Sequence, residues 1–144
     1  EEVAIIIQQQ SDLKNICSEI YNTFQGFLSW QWDDRYGTAL GEFQVHSKDN
    51  IRELVTPYLG NVWDNSTIET APDNVQMIAT RLGSLRGEQL LLTSDPNQNI
   101  LLYGAWWPWG NGETISLRIA PHGNNLSSAE LTELKEQFRG WFEL

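Results

Sequence analysis

Four kinds of residue in this chain could carry chemistry: two histidines, one cysteine, nineteen carboxylates and seven tryptophans. A histidine works as a base, a proton donor or a metal ligand only with partners in reach. His46 and His122 fall in different segments, and neither has further N or S ligands at metal spacing. Solvated or capping roles suit both, and His122, inside Pro121-His122-Gly123, is expected in a loop. Cys17 lies within an apolar stripe, where a thiol packs as a small hydrophobe. Glu42 and His46 project from one face of an expected strand. A general acid/base pair can be built that way, but an exposed polar face is the simpler account. There is no Gly-x-Ser-x-Gly elbow, no phosphate loop and no marked carboxylate pair. These residues therefore indicate no catalytic group, no metal site and no evident cofactor, and the chain is read as a non-enzyme.

The tryptophans are more informative. In Trp106-Trp107-Pro108-Trp109, neighbouring strand positions point to opposite faces, so Trp106 and Trp107 cannot share one core. One is expected under the terminal helix. The other is left for solvent, another strand or another chain, where tryptophan suits an interface or a stacking platform. Asn61–Asn74 shows no clear periodicity and holds Trp63 and Asp64. A stretch of that kind is a binding loop, a lid or simply mobile. The candidate ligand- or partner-binding residues are thus Trp63, Asp64, Trp106, Trp107 and Trp109. Arg81, Arg86 and Arg118 offer charge for an anionic ligand, but pairing with the abundant carboxylates is the simpler expectation.

The net charge of −10 disfavours nucleic acid and anionic membrane surfaces, which are bound through clustered Lys and Arg. No apolar run approaches the ~18 residues of a membrane span. Val3–Ile7 is too short for one and lacks a basic flank. A single cysteine rules out an internal disulfide framework. A cytoplasmic protein is expected, with a protein partner or a second copy of itself, and room for a small-molecule ligand. The 144 residues suit one domain. A start without methionine and an end in mid-stripe at Leu144 suggest a piece excised from a longer signalling protein.

The elements that must position these residues can be read in order. Glu1–Gln10 is open between a strand, favoured by three isoleucines, and a helix or linker. Ser11 caps a helix carrying Leu13, Ile16, Cys17, Ile20, Tyr21 and Phe24, with Gly26 as its stop. Leu28, Trp30 and Trp32 alternate, turn at Asp33–Gly37, and return through Gly41, Phe43 and Val45. Ser47 or Asp49 caps a second helix with Ile51, Leu54, Val55 and Tyr58 on its buried side, ended near Pro57 and Gly60. Val75–Leu82 and Glu88–Thr93 read as a hairpin around Gly83–Gly87. Ile100–Trp107 and the alternating Ile115, Leu117 and Ile119 form another, with a loop of about four to six residues. Ser127 and Glu130 form a capping box, with Leu126 and Leu131 as staple, before a helix carrying Leu134, Phe138, Trp141 and Phe142. The expected fold is α+β: an antiparallel sheet of about six strands with N-terminal, middle and C-terminal helices covering one face.

That order resembles the GAF and PAS sensory folds and the related profilin and roadblock folds. GAF is the nearest match: Asp12–Val45 is similar to its opening helix and hairpin. Ile115-Ser116-Leu117-Arg118-Ile119, followed by the polar loop and the Ser-capped acidic helix to Phe138, is similar to its ending. The resemblance covers most of the chain and implies a sensory or regulatory module. It carries over no ligand residue, since no bilin-attachment cysteine with a neighbouring histidine and no cyclic-nucleotide signature is present, and the Trp-Trp-Pro-Trp turn departs from the pattern. The leading reading is a regulatory domain acting through protein contacts, by dimerisation or signalling to an adjacent output domain. The alternatives are a free-standing acidic adaptor or inhibitor for a basic partner, and a small carbohydrate-binding or hydrolytic domain using surface tryptophans.

Overall fold

The computed structural model describes residues 2–144, with side chains from Gln8 onward. Among these residues the elements follow as α1 (Glu2–Thr23), β1 (Gln31–Asp33), β2 (Thr38–Gln44), α2 (Lys48–Val55), β3 (Asn61–Trp63), α3 (Asp73–Arg81), β4 (Leu90–Thr93), β5 (Ile100–Pro108), β6 (Thr114–Gly123) and α4 (Ser128–Trp141). The six strands form one antiparallel sheet in the order β1-β2-β6-β5-β4-β3. The fold is α+β with helices at the start, middle and end, as the residue pattern indicates. Both edge strands are only three residues long.

The opening stretch, left open in the sequence between strand, helix and linker, takes the helical alternative: Glu2–Gln10 continues α1. A strand-favouring run extends a helix once a neighbouring turn has nucleated it. Leu13, Cys17, Ile20 and Phe24 then form its buried stripe. Val75–Leu82 is not half of a hairpin but the body of α3. Its sequence fits both periods, and burial decides between them. Val75, Ile78, Ala79 and Leu82 are inside, while Met77, which a strand would place beside Val75 and Ala79, is 48% exposed. The expected hairpin partner, β4, is instead paired with β3 and β5.

Moving α3 out of the sheet changes the layering. Residues paired in register share a face, so Ala39, Phe43, Leu117, Ile119, Leu102 and Trp106 lie on one side. Helices α1, α2 and α4 cover that side: Phe138 meets Trp32, Phe142 meets Trp30, and the Arg52 guanidinium lies over Trp106. Trp30 and Trp32, not a tryptophan of β5, are therefore the ones that pack under the terminal helix. The opposite side carries Leu91, Leu101, Tyr103, Ala120 and His122, and α3 covers it in part. The expectation that helices cover only one face is thus corrected. Sandwiching explains why Ile100–Trp106 is buried without alternation. Gly104 allows a close approach: a Cβ there would lie 3.0 Å from Leu59 Cδ1 and 3.2 Å from Leu117 Cδ1.

Candidate functional site

A groove opens on the α3 side of the sheet, where four chain-distant segments meet. The turn between β1 and β2 contributes Arg35 and Tyr36, and the end of α3 contributes Arg81, with Leu82 just beyond it. The last residues of β6 contribute Pro121 and His122, and α4 reaches in with Leu131 and Lys135. Together with Ile78 and Tyr103 they enclose a cavity of about 140 Å³. Arg81, His122 and Leu131 also line a wider cleft of about 630 Å³, and Arg35, Tyr36 and Leu82 line a third space that ends at Arg86 and Trp107.

Each side chain is placed for a local reason. The terminal helix is fixed by its capping box: Glu130 N–H donates to Ser127 Oγ at 3.1 Å, and Ser127 N–H donates to Glu130 Oε1 at 2.9 Å. The Ser127 backbone N–H, followed by the Ser127 side chain, holds the Glu130 carboxyl below its ordinary range. Two turns into α4, Lys135 Nζ donates to the Tyr36 carbonyl oxygen at 3.2 Å. Arg118 of β6 pairs with Asp33 at 3.1 Å, and its guanidinium stacks over Trp107, 4.5 Å from the ring centre. Tyr36 meets Trp107 edge-on at 5.3 Å, so Asp33, Arg118, Trp107 and Tyr36 form one packed wall.

The electrostatics of the groove run against those of the chain. Acidic residues outnumber basic ones nineteen to nine. Yet among the described residues the one ion pair is Arg118 with Asp33. The expected carboxylate pairing holds for Arg118 and fails for Arg81 and Arg86. Arg35, Arg81, Arg86 and Lys135 thus line the groove and its continuation with no carboxylate in salt-bridge reach among the described residues. Burial, and then Arg81, push the Lys135 ammonium below its usual range. His122 is 5% exposed. Burial, reinforced by Arg81 and Lys135, lowers its pKa to about 4, so it is a neutral ring at pH 7. Tyr103 is raised to about 12, chiefly by burial, with Arg81 opposing and Asp33 adding to the shift. Its hydroxyl, the His122 ring and the Arg81 guanidinium have no protein hydrogen-bond partner among the described residues. Such a set can hold an anion: two cations carried by helices on opposite faces of the sheet, plus neutral donors.

The residues singled out from the sequence fall in several places. Trp106 is 4% exposed, against Phe43 with ring centres 5.1 Å apart. Trp107 stands on the other face, at the far end of the groove. Trp109 is 44% exposed, and its Nε1 donates to Ser116 Oγ at 2.6 Å, which folds the indole back toward the side of the sheet that bears Trp107. Trp63 lies at the β3 edge, its Nε1 3.5 Å from Thr93 Oγ1. Asp64 Oδ1 accepts from Ser66 N–H, Ser66 Oγ, Thr67 N–H and Thr67 Oγ1, chiefly from Ser66. That holds its carboxyl below the ordinary range. Asn61–Asn74 is therefore not an irregular loop: it runs from β3 through this turn and a short 3-10 turn into α3. The register puts Trp63 and Trp107 on one side of the sheet, the side toward which Trp109 folds, with Trp63 out at the β3 edge, and puts Trp106 on the other side.

The groove itself was not readable from spacing, because its members are separated by up to a hundred positions. The available signal was weaker: a few cations spaced along an otherwise acidic chain. Among the described residues there is no group of His, Cys, Asp and Glu that could hold a metal ion. No described helix is long and apolar enough to cross a membrane. Comparisons with protein-family models, curated proteins and solved structures find nothing that matches this chain.

Proposed function

We propose that the chain is a regulatory module that binds a small anionic ligand in the α3–α4 groove and passes its occupancy on through protein contacts. One observation carries this reading. Arg35, Arg81 and Lys135, with Arg86 in the adjoining space, line a groove without carboxylate ion-pair partners among the described residues, in a chain of net charge −10. Like charges held together raise each other's free energy, and an anion between them relieves that repulsion.

The same geometry suggests how binding is read out. Arg81 comes from α3 on one face of the sheet and Lys135 from α4 on the other. An anion held by both favours the arrangement of the two helices that brings these charges together. It shifts the protein only as far as its affinity differs between arrangements. Helix α4 packs on α1, and this pair is the surface from which a neighbouring domain or a second copy would sense the change. A GAF- or PAS-like sensory role, a protein partner and a cytoplasmic setting belong to the same proposal. The supporting features are the antiparallel sheet with helices at its start, middle and end, and a groove between elements from both faces.

The test is calorimetric titration of the protein with inorganic phosphate at low and moderate salt. Saturable binding that weakens with salt, and is lost in the Arg81→Ala/Lys135→Ala double variant, is expected. No heat from phosphate, sulfate or citrate at low salt would refute the reading, as would equal binding by the double variant.

A further inference from the structure

Resting on the anion-binding reading, we infer that the groove takes the phosphomonoester of a neutral polyol, such as a sugar phosphate, with its phosphate beside Arg81 and Lys135 and its hydroxylated body along the asparagines of the wider cleft.

The two spaces differ in chemistry and share a wall. The small cavity, about 140 Å³, holds the cations and the Tyr103 hydroxyl. The wider cleft, about 630 Å³, lies within the usual size range for small-molecule sites. Arg81 and His122 line both, so one ligand can reach from one space into the other. The wide part is lined by the amides of Asn97, Asn99 and Asn124. Each carries donors and an acceptor, the combination that complements a hydroxyl group, itself donor and acceptor. None of these three side chains is engaged with protein among the described residues. By contrast, the Asn74 amide on the same wall donates to the Pro96 carbonyl at 2.8 Å and holds the 95–98 turn in place.

Asp73 also lines the wide cleft, and a carboxylate there accepts from hydroxyls but repels a second anionic group. The ligand is therefore charged at one end only. Among the described residues the one aromatic ring lining the wide cleft is His122, which is 5% exposed and sits where the cleft meets the smaller cavity, so a nucleobase in the wide part would find little stacking surface. That favours a polyol over a nucleotide.

The experiment is a set of calorimetric titrations of the full chain with inorganic phosphate, glucose, glucose 6-phosphate and AMP. A second set uses Asn97→Ala/Asn124→Ala, whose fold is checked by circular dichroism. Glucose 6-phosphate is expected to bind about tenfold more tightly than inorganic phosphate, the gain of a few hydrogen bonds, and the double variant is expected to lose that margin alone. Equal affinity for phosphate and glucose 6-phosphate would overturn the polyol inference and leave the anion reading standing. So would tighter binding of AMP, or a margin unchanged in the double variant. Absence of binding by every phosphate compound would overturn both.

Discussion

Lys135 Nζ donates to the backbone carbonyl oxygen of Tyr36 at 3.2 Å, joining the terminal helix to the first hairpin turn across ninety-nine positions of sequence. The next residue, Gly37, has φ +68°, and a Cβ there would lie 3.2 Å from the same ammonium nitrogen. The turn is shaped to admit the lysine. Replacing Lys135 by Met keeps most of the side-chain bulk and removes the charge. Phosphate affinity at low salt is expected to fall about tenfold, the size of one charge-assisted hydrogen bond. Lys48→Met, on the exposed start of α2, should leave it unchanged. Equal affinity in wild type and Lys135→Met would remove Lys135 from the site.

His122 makes stability depend on pH in a defined window. Its folded pKa of about 4 lies below its ordinary 6.5, so the unfolded chain binds the extra proton first. The associated stability is complete above about pH 6.5, is lost as pH falls, and is gone below about pH 4. By linkage the loss is at most about 3 kcal/mol. Urea denaturation at pH 7 and pH 5 measures it. His122→Gln should flatten the difference, and an unchanged slope in that variant would assign the pH dependence to other groups.

The start of α4 rests on the Ser127–Glu130 capping box. Ser127→Ala leaves the Glu130 amide hydrogen without its partner and is expected to cost about 1 kcal/mol. Ser128→Ala, one residue inside the helix, is expected to cost much less. Comparable losses in both variants would mean that the box contributes nothing beyond helix propensity.

At Gly104 a side chain would push into Leu59 and Leu117, both fully inside the core. Gly104→Val is expected to lower stability by about 1–3 kcal/mol, as overpacking does. Adding Leu59→Ala makes room and should recover part of that loss. A double variant no better than the sum of its parts would show that Leu59 is not what the new side chain strikes.

The elements legible in the sequence were those whose residues repeat a local physical rule. Ser127 and Glu130 announce the start of α4, and Leu134, Phe138 and Phe142 return at helical spacing. Ile115, Leu117 and Ile119 alternate as β6 does. Helix α3 was hidden because Val75, Met77 and Ala79 also fall at period two, and only packing against the second face of the sheet selects the helical period. Pro72-Asp73, a proline and an acid at a helix start, was the local cue for it. The groove could not be read at all from spacing. Arg35, Arg81, His122 and Lys135 are brought together by the sheet order, and that order depends on α3 lying where the sequence pattern did not place it.

The two three-residue rims of the sheet carry a consequence for assembly. A strand arriving alongside β1 or β3 would find only one or two laddered hydrogen-bonded pairs before the rim bends away into a turn. Stacking copies edge to edge, the common route by which open sheets grow into fibres, is therefore poorly templated here. The rims thus favour contacts through helix surfaces and side chains over lengthening of the sheet.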